Sequence, residues 1–386
     1  MNKKLKIVLI ANAYNFFNSF MLNHIQQLSK KYDLFICCNN AEKLKKSVPN
    51  NVSLININFK RGLSLFHDII TSISTLLFFL KNRPNISISF TPKIGFIVAL
   101  ASLIVRTPIR IHWFTGQIWA RSKGLVKKFY KSVDKLIFFI SHHVFIDGFS
   151  QRNFLIKEKI ISKNKSIVFH KGSVGGVDIS KFRPNRKNRI ELRKKYLIAK
   201  NTFVFLYLGR ITKDKGIAEL IHAFKKIENN RNVLLIFVGP IEDKRLVHLL
   251  KNNKKILYFN FTTKPENWFS LADIICLPSY REGFGTVIIE AASCGIPALC
   301  SKIYGLSDAM IEYKTGFFHK VGNVEDIKKK MQYIINNKHL VKKYGIFARN
   351  RALKDFEQSL ITKKLIEFIN TKISQNAENE STKKYF

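Results

Sequence analysis

The sequence predicts an α/β fold of two doubly wound halves, each a parallel sheet covered by helices on both faces. Three observations carry that reading. Short apolar runs recur without the polar alternation of a half-exposed strand, as strands buried on both faces require. The segments between these runs are long enough for helices. The whole pattern then starts again after GSVGGVDISKFRPN, residues 172–185, a Gly- and Ser-rich stretch that reads as a break between domains.

In the first half the apolar runs are Leu5 to Ile10, Leu34 to Cys38, Ile86 to Phe90 and Ile109 to Trp113. In the second half Phe203 to Leu208 runs into GRITKDKG and a helix. VLLIFVGP, ILYFNF, IICLPS and PALCS follow, with helical segments between them. Lys-rich helical sequence from about residue 323 to 373 closes the pattern. The expected partition is a first Rossmann-like domain over 1–178, a hinge at 179–186 and a second Rossmann-like domain over 187–355. A C-terminal helix at 356–373 packs back on the first domain, and a disordered tail occupies 374–386, where QNAENESTKKYF offers little to bury. With 386 residues and 46% hydrophobic content, each domain has enough for its own core.

Charge is the anomaly of the composition. Lys+Arg number 66 against 26 Asp+Glu, a formal net charge of +40. Residues 1–200 hold 36 Lys+Arg against 8 Asp+Glu, a net +28, so the basic surface is mainly N-terminal. Such charge favours a polyanionic partner or an anionic membrane surface. The joint richness in Lys, Asn, Ile and Phe is also what an A/T-rich genome supplies without any partner. Nucleic-acid binding has nothing else in its favour: no recognised motif, no aromatic-basic stacking pattern, no helix-turn-helix signal.

The five cysteines, Cys37, Cys38, Cys276, Cys294 and Cys300, lie in or beside apolar runs without metal-ligand spacing, which fits a reducing cytoplasm. The opening MNKKLKIVLIANAYN reads as a first strand, its apolar stretch being too short for a signal peptide. The longest apolar runs, IITSISTLLFFL at 69–80 and IGFIVALASLIV at 94–105, fall short of the roughly 20 residues that span a bilayer.

Three constellations lie at the carboxyl ends of expected strands in the second half, where open α/β sheets bind ligands. In LYLGRITKDKGI, Gly209 turns the backbone off the strand, Arg210 offers a planar fork of donors and Lys215 a mobile charge, a set that suits a phosphate or diphosphate. A surface Arg and Lys flanking a turn would read the same on this motif alone. In PSYREGFGTVIIEAASCGIP, the turn Gly283-Phe284-Gly285 presents backbone N–H groups and the helix from about Thr286 adds its positive end. Glu282 on the turn and Glu290 eight residues later fall near one helical face, so both carboxylates are placed to accept from sugar hydroxyls. The third is Tyr304-Gly305-Leu306-Ser307-Asp308, another glycine turn after a strand.

Taken in order, GRITKDKGI, VGP, ADIICLPSYREGFGTVIIEAASCGIPALCS, YGLSDAM and TGFF closely resemble the nucleotide-sugar half of the retaining glycosyltransferases of family 4, which have the two-domain GT-B fold with the domains facing across a cleft. The strongest part spans about residues 203–322, and the Glu-x7-Glu signature is its most specific element. TPKIGFIVALASLIVRTPIRIHWFTGQIWARSKG and KGSVGGVDISKFRP in the first half resemble members acting on bacterial surface polysaccharides.

The resemblance implies that Arg210 and Lys215 hold the donor diphosphate and that Glu282 bonds hydroxyls of the transferred sugar. It places the Phe284 to Thr286 backbone beside the phosphates, Glu290 on the nucleotide ribose, and Gly305 where backbone approaches the donor, with Gly209 and Gly283 as further donor-binding candidates. It also implies retention of the anomeric configuration, a donor phosphate oxygen taking the acceptor proton. No cofactor is expected: Asp-x-Asp, the mark of metal-dependent transferases, is absent, and two cations meet the same need for charge neutralisation. The chain departs from the family pattern in having ANAYNFFNSF where many members have a glycine-rich turn. It also has FTGQ, with Thr115 before Gly116 and His112 three residues earlier, where many have His-Gly. His112, Thr115 and Gly116 are the acceptor-side candidates, although a histidine within an apolar strand is more often a satisfied core residue.

RSKGLVKKFYKSVDKLI, residues 121–137, sets Lys127, Lys128, Lys131 and Lys135 among Leu125, Val126, Phe129, Tyr130 and Ile137, a basic amphipathic pattern fit for an anionic membrane surface or for an ordinary surface helix. The expectation is a hexosyl- or N-acetylhexosaminyltransferase that takes a nucleotide-sugar, a UDP-sugar foremost, to a lipid-linked saccharide in capsule, O-antigen or exopolysaccharide assembly. It would work in the cytoplasm, peripherally on the inner face of the cytoplasmic membrane. The rivals are a UDP-sugar epimerase on the same fold and, in another class, a basic nucleic-acid-binding protein.

Overall fold

The computed structural model describes residues 4–383 except 61, 63, 230, 231 and 252. The chain forms two compact units, one running to Gly176 and resuming at Gln358, the other spanning Val177–Glu357. In the first unit the elements run β1 (Lys6–Ala13), α1 (Tyr14–Phe20), α2 (Leu22–Lys31), β2 (Asp33–Asn39), β3 (Ser53–Asn56), α3 (Leu65–Asn82), β4 (Ile86–Phe90), α4 (Pro92–Ile104), β5 (Ile109–Phe114), α5 (Gly124–Ile140), β6 (His143–Ile146), α6 (Phe149–Lys157) and β7 (Ser166–Ile167). In the second they run α7 (Arg186–Lys195), β8 (Phe203–Leu208), α8 (Ile217–Lys225), β9 (Val233–Val238), α9 (Val247–Lys251), β10 (Ile256–Phe259), α10 (Pro265–Leu271), β11 (Ile274–Leu277), α11 (Thr286–Ser293), β12 (Ala298–Ser301), α12 (Leu306–Ala309), β13 (Gly316–His319), α13 (Val324–Asn336) and α14 (Lys338–Asp355). The last helix, α15 (Gln358–Lys383), belongs to the first unit.

Each unit is built on one all-parallel sheet. The strand orders are β3-β2-β1-β4-β5-β6-β7 and β10-β9-β8-β11-β12-β13. In both, the first strand of the unit sits mid-sheet and the order reverses beside it, between β1 and β4 and between β8 and β11. These reversals are where an open sheet forms a crevice at its carboxyl edge. The central strands β4 and β11 are buried throughout, β11 as an unbroken apolar run and β4 with the small Ser87 and Ser89 between its apolar residues. The two doubly wound halves read from the sequence are thus present, as the GT-B architecture demands.

The ends of the expected partition differ from the structure. Residues 179–186, read as a hinge, pack within the second unit: Phe182 is in its core and its carbonyl accepts from buried Ser293 Oγ. The chain passes between units at Gly176–Val177, where Val177 N–H donates to Phe356 O at 2.7 Å. Phe356 itself lies in the second core. The tail expected to be disordered from 374 continues α15 as far as Lys383, and residues 384–386 lie outside the described residues. The helix is anchored by Ile361, Leu365 and Ile369, which enter the first core with Met21, Ile25 and Leu28. Asn23 Nδ2 donates to Thr362 Oγ1 at 2.6 Å and Tyr32 Oη to Asn370 Oδ1 at 2.5 Å.

In the second unit α7 is tied to the sheet by Asp273, just before β11. Its carboxylate accepts from Arg189 at 2.7 Å, from Arg193 at 3.0 Å and from Val204 N–H at 2.7 Å. Arg193 is almost fully buried and also donates to the carbonyls of Leu271 and Thr202. Removing the carboxylate leaves a buried guanidinium without its counter-charge. Asp273→Ala is therefore expected to lower stability by about 3 kcal/mol in urea unfolding; an unchanged midpoint would show that the carbonyls alone hold Arg193.

Candidate functional site

At the switch point of the second unit the loop after β8 (residues 209–216) lies directly on the loop after β11 (residues 278–285). Gly216 permits this: its φ is 69°, and a Cβ there would overlap the carbonyl oxygen of Pro278. Asp214 then fastens the loops, its carbonyl accepting from Tyr280 N–H at 2.9 Å and its carboxylate from Arg281 at 3.3 Å. The loop after β12 closes in from the other side. Gly305, with φ 83°, sits where a Cβ would come 2.5 Å from the Gly283 carbonyl oxygen.

The two loops bring Lys215 to Glu282. Lys215 Nζ donates to Glu282 Oε1 at 2.6 Å, each side chain only 15% exposed. Ser279 Oγ, buried, donates to the same oxygen at 2.7 Å. Among the described residues no donor meets Oε2. Beneath them Tyr207 Oη donates to the Arg210 carbonyl at 2.7 Å, and burial first, then the nearby Glu282 charge, keep this phenol protonated. Chemically this is one carboxylate held in a fixed rotamer with an oxygen open to hydroxyl donors, beside one cation.

Arg210 does not join that cluster. Its side chain is 45% exposed and donates to Glu242 Oε2 at 2.8 Å. The two cations expected side by side each have a carboxylate of their own. Gly285 caps α11 with φ 74° and gives the first turn, which starts at Thr286, no side-chain cap. The Phe284 ring faces inward, edge to face with Phe356 at 5.4 Å, and pins the turn.

Glu290 stands in the second turn of α11, in different surroundings from Glu282. Burial pushes its carboxyl up to about 7, Lys181 lowers it and Glu266 raises it further. The eight-residue spacing does not act as a helical repeat, because Glu282 lies four residues before α11 in a non-helical turn. Ser279 and Tyr207, which orient the cluster, were not singled out from the sequence. Ser279 lies in the same PSYREGFG stretch, three residues before Glu282, and that proximity was the available signal.

In the first unit His112 is buried within the sheet, the core position that a histidine in an apolar strand also suggests. It is 1% exposed, its Nδ1 meets Ser89 Oγ at 2.9 Å, and its ring lies where a Cβ on Gly95 would overlap it. Burial brings its pKa down to about 3, so the ring is neutral. The cause is β5, apolar and covered on both faces. Thr115 and Gly116 follow directly at the carboxyl end of that strand, Thr115 half-buried. At the switch point, Thr91 Oγ1 donates to Asn12 Oδ1 at 2.6 Å, and Thr91 holds φ at 67°.

The four lysines of α5 divide. Lys131 pairs with Glu158 at 2.9 Å and Lys127 lies 3.9 Å from the same carboxylate, both over the Trp119 ring. Lys128 and Lys135 are exposed. A hollow of about 300 Å³ beside Glu42 and Lys45 touches none of the candidate residues. No group of three or more His, Cys, Asp or Glu among the described residues is placed to hold a metal ion.

Comparison with known proteins covers the same part of the chain. Residues 188–351 match the family model for glycosyl transferases group 1, a span containing every part of the Lys215–Glu282 cluster. The chain is 29% identical over 363 residues to the capsular polysaccharide biosynthesis glycosyltransferase CapM of Staphylococcus aureus, covering 92% of this chain and 94% of that one. It is 25% identical over 324 residues to the UDP-Gal:α-D-GlcNAc-diphosphoundecaprenol α-1,3-galactosyltransferase of Escherichia coli, covering 81% and 82%. The crystal structure of Anabaena Alr3699/HepE with UDP and glucose superposes with a TM-score of 0.78 at 15% identity, over 95% of this chain and 99% of that one, a likeness of fold. The chain thus has a GT-B fold, and its residues 188–351 are similar to the glycosyl transferases of group 1.

Proposed function

We propose that the enzyme transfers a sugar, with retention, from a UDP-sugar to a lipid-linked saccharide during assembly of a bacterial surface polysaccharide, without a metal, at the inner face of the cytoplasmic membrane. The observation that carries the donor half is the Lys215–Glu282–Ser279 cluster at the second switch point, inside the span matched to the family. The acceptor half is supported by the two relatives, one named for capsular polysaccharide biosynthesis and the other for a diphosphoundecaprenol-linked acceptor.

In this reading the free oxygen of Glu282 accepts from hydroxyls of the transferred sugar and fixes its ring. Lys215 neutralises the donor diphosphate as the bond from its oxygen to the anomeric carbon breaks, and Arg210 leaves Glu242 to do the same. The open N–H groups at the start of α11 add donors beside the phosphates. The acceptor hydroxyl bonds to the anomeric carbon from the face the diphosphate is leaving, and its proton passes to the departing phosphate oxygen. Charge stabilisation of the leaving UDP is the main protein contribution. Thr115 and Gly116 contribute to the acceptor side, and Glu290 accepts from the nucleotide ribose.

Release of free UDP by the purified enzyme, with chelator present, is expected with one UDP-sugar and only when membrane lipid extract is added. Glu282→Ala is expected to abolish it, and Lys215→Ala or Arg210→Ala each to slow it by about 10²-fold. An epimerised UDP-sugar without free UDP, or a Glu282→Ala enzyme within a few-fold of wild type, contradicts the reading.

Glu290 sets a pH dependence. Its carboxyl, pushed up to about 7 by burial, is protonated below that pH and ionised above it, and only the carboxylate accepts from two ribose hydroxyls. The KM for the donor is expected to rise as pH falls through about 7, and Glu290→Gln to flatten that rise. The same pH profile in both enzymes would remove Glu290 from the donor site.

A further inference from the structure

Helix α3 is built inside out. The side it turns to the protein carries Thr71 and Thr75 with Phe79, and the threonine hydroxyls are satisfied by the carbonyls of Asn58, His67 and Thr71. The side it turns to solvent carries Phe66, Ile69, Ile73 and Leu77, exposed by 73, 59, 53 and 60%. Their spacing of three to four residues is a helical stripe, so the exposed row is a continuous apolar ridge. The neighbouring helices extend it. α4 packs against α3 and α5 against α4 on one side of the sheet, and Ile104 and Phe139 are exposed by 61 and 80%. An apolar surface of this extent is rare on a protein that meets only water.

Charge identifies what covers it. Residues 59–141, which contain all three helices, hold 13 Lys+Arg against 2 Asp+Glu. Both acids are engaged: Asp68 with Lys93, and buried Asp134 with Trp119 Nε1 at 2.6 Å. Lys81, Arg83 and Arg106, at the ends of α3 and α4, and Lys128 and Lys135 on α5 are exposed. A second copy of this face would set lysine against lysine with no acid to answer. A bilayer with anionic headgroups supplies apolar depth for the ridge and negative charge for its rim. No helix among the described residues is long and apolar enough to cross a membrane.

We propose that the outer face of α3, α4 and α5 is a monotopic docking surface for an anionic lipid bilayer, with the α3 ridge as the inserted element. The lysines of the α5 motif act unequally: Lys128 and Lys135 face the headgroups, whereas Lys127 and Lys131 are spent on Glu158 and Trp119. The inference adds a surface to the lipid-linked acceptor reading and stands apart from it.

The test is sedimentation of the full chain with vesicles of phosphatidylcholine alone or mixed with phosphatidylglycerol, without donor or acceptor. Binding is expected to the anionic vesicles, to weaken by about tenfold or more in Ile69→Gln/Ile73→Gln/Leu77→Gln, and to change little in Lys127→Gln/Lys131→Gln. The triple variant, which adds polar groups only at exposed positions, is expected to keep the far-UV circular dichroism and thermal transition of wild type. It is also expected to keep UDP release toward a detergent-solubilised lipid extract, so docking and transfer fail separately. Equal vesicle binding by the triple variant would overturn the proposal. So would a chain that ignores vesicles and self-associates until the triple substitution makes it monomeric, the result for an interface between copies.

Discussion

The ion pair between Lys215 and Glu282 is the contact on which the donor half of the molecule turns. It is mostly buried, so each charge depends on the other and on Ser279 for what water no longer supplies. It also spans the two loops that meet at the sheet's reversal point. Those loops can touch only because Gly216 has no side chain to strike Pro278, and the third loop joins them only through Gly305. The strand order thus brings two distant stretches of sequence to one crevice, two glycines let their backbones close on each other, and the ion pair fixes the rotamers that face a ligand.

Much of this was legible from residues alone. Parallel strands buried on both faces announce themselves as unbroken apolar runs, which is why β8 begins and ends where the sequence places it. β3 and β7 do not announce themselves: they are four and two residues long, at or near the sheet's edges, with polar residues among them. Lys215 and Glu282 were legible as candidates, but their pairing was not, because nothing local links positions 67 residues apart. Arg210 shows the same limit. Its distance from the cluster is set by Glu242, which lies beyond β9.

The misreadings have physical causes too. The Gly- and Ser-rich stretch 172–185 does contain the passage between units, at Gly176–Val177, but the hinge placed at 179–186 lies past it, where Phe182 finds a core to enter. The tail after residue 373 is poor in apolar residues, but α15 is already nucleated by Ile361, Leu365 and Ile369, and extending a formed helix is far easier than starting one. The basic charge is heterogeneous in use: some lysines close ion pairs, others rim an apolar face that the linear pattern of α3 conceals, since a run of Ile, Ser, Thr, Leu and Phe does not say which side turns outward.

The central claim is that Lys215 and Glu282 work as one unit, and a double-mutant cycle tests it most directly. The rate of UDP release is measured for wild type, Lys215→Met, Glu282→Gln and the double variant under saturating acceptor. Residues that act as a unit lose little more together than apart, so the double variant is expected to be about as slow as the slower single variant. Losses that multiply would mean that the two side chains act on the donor independently, and that their 2.6 Å contact organises nothing.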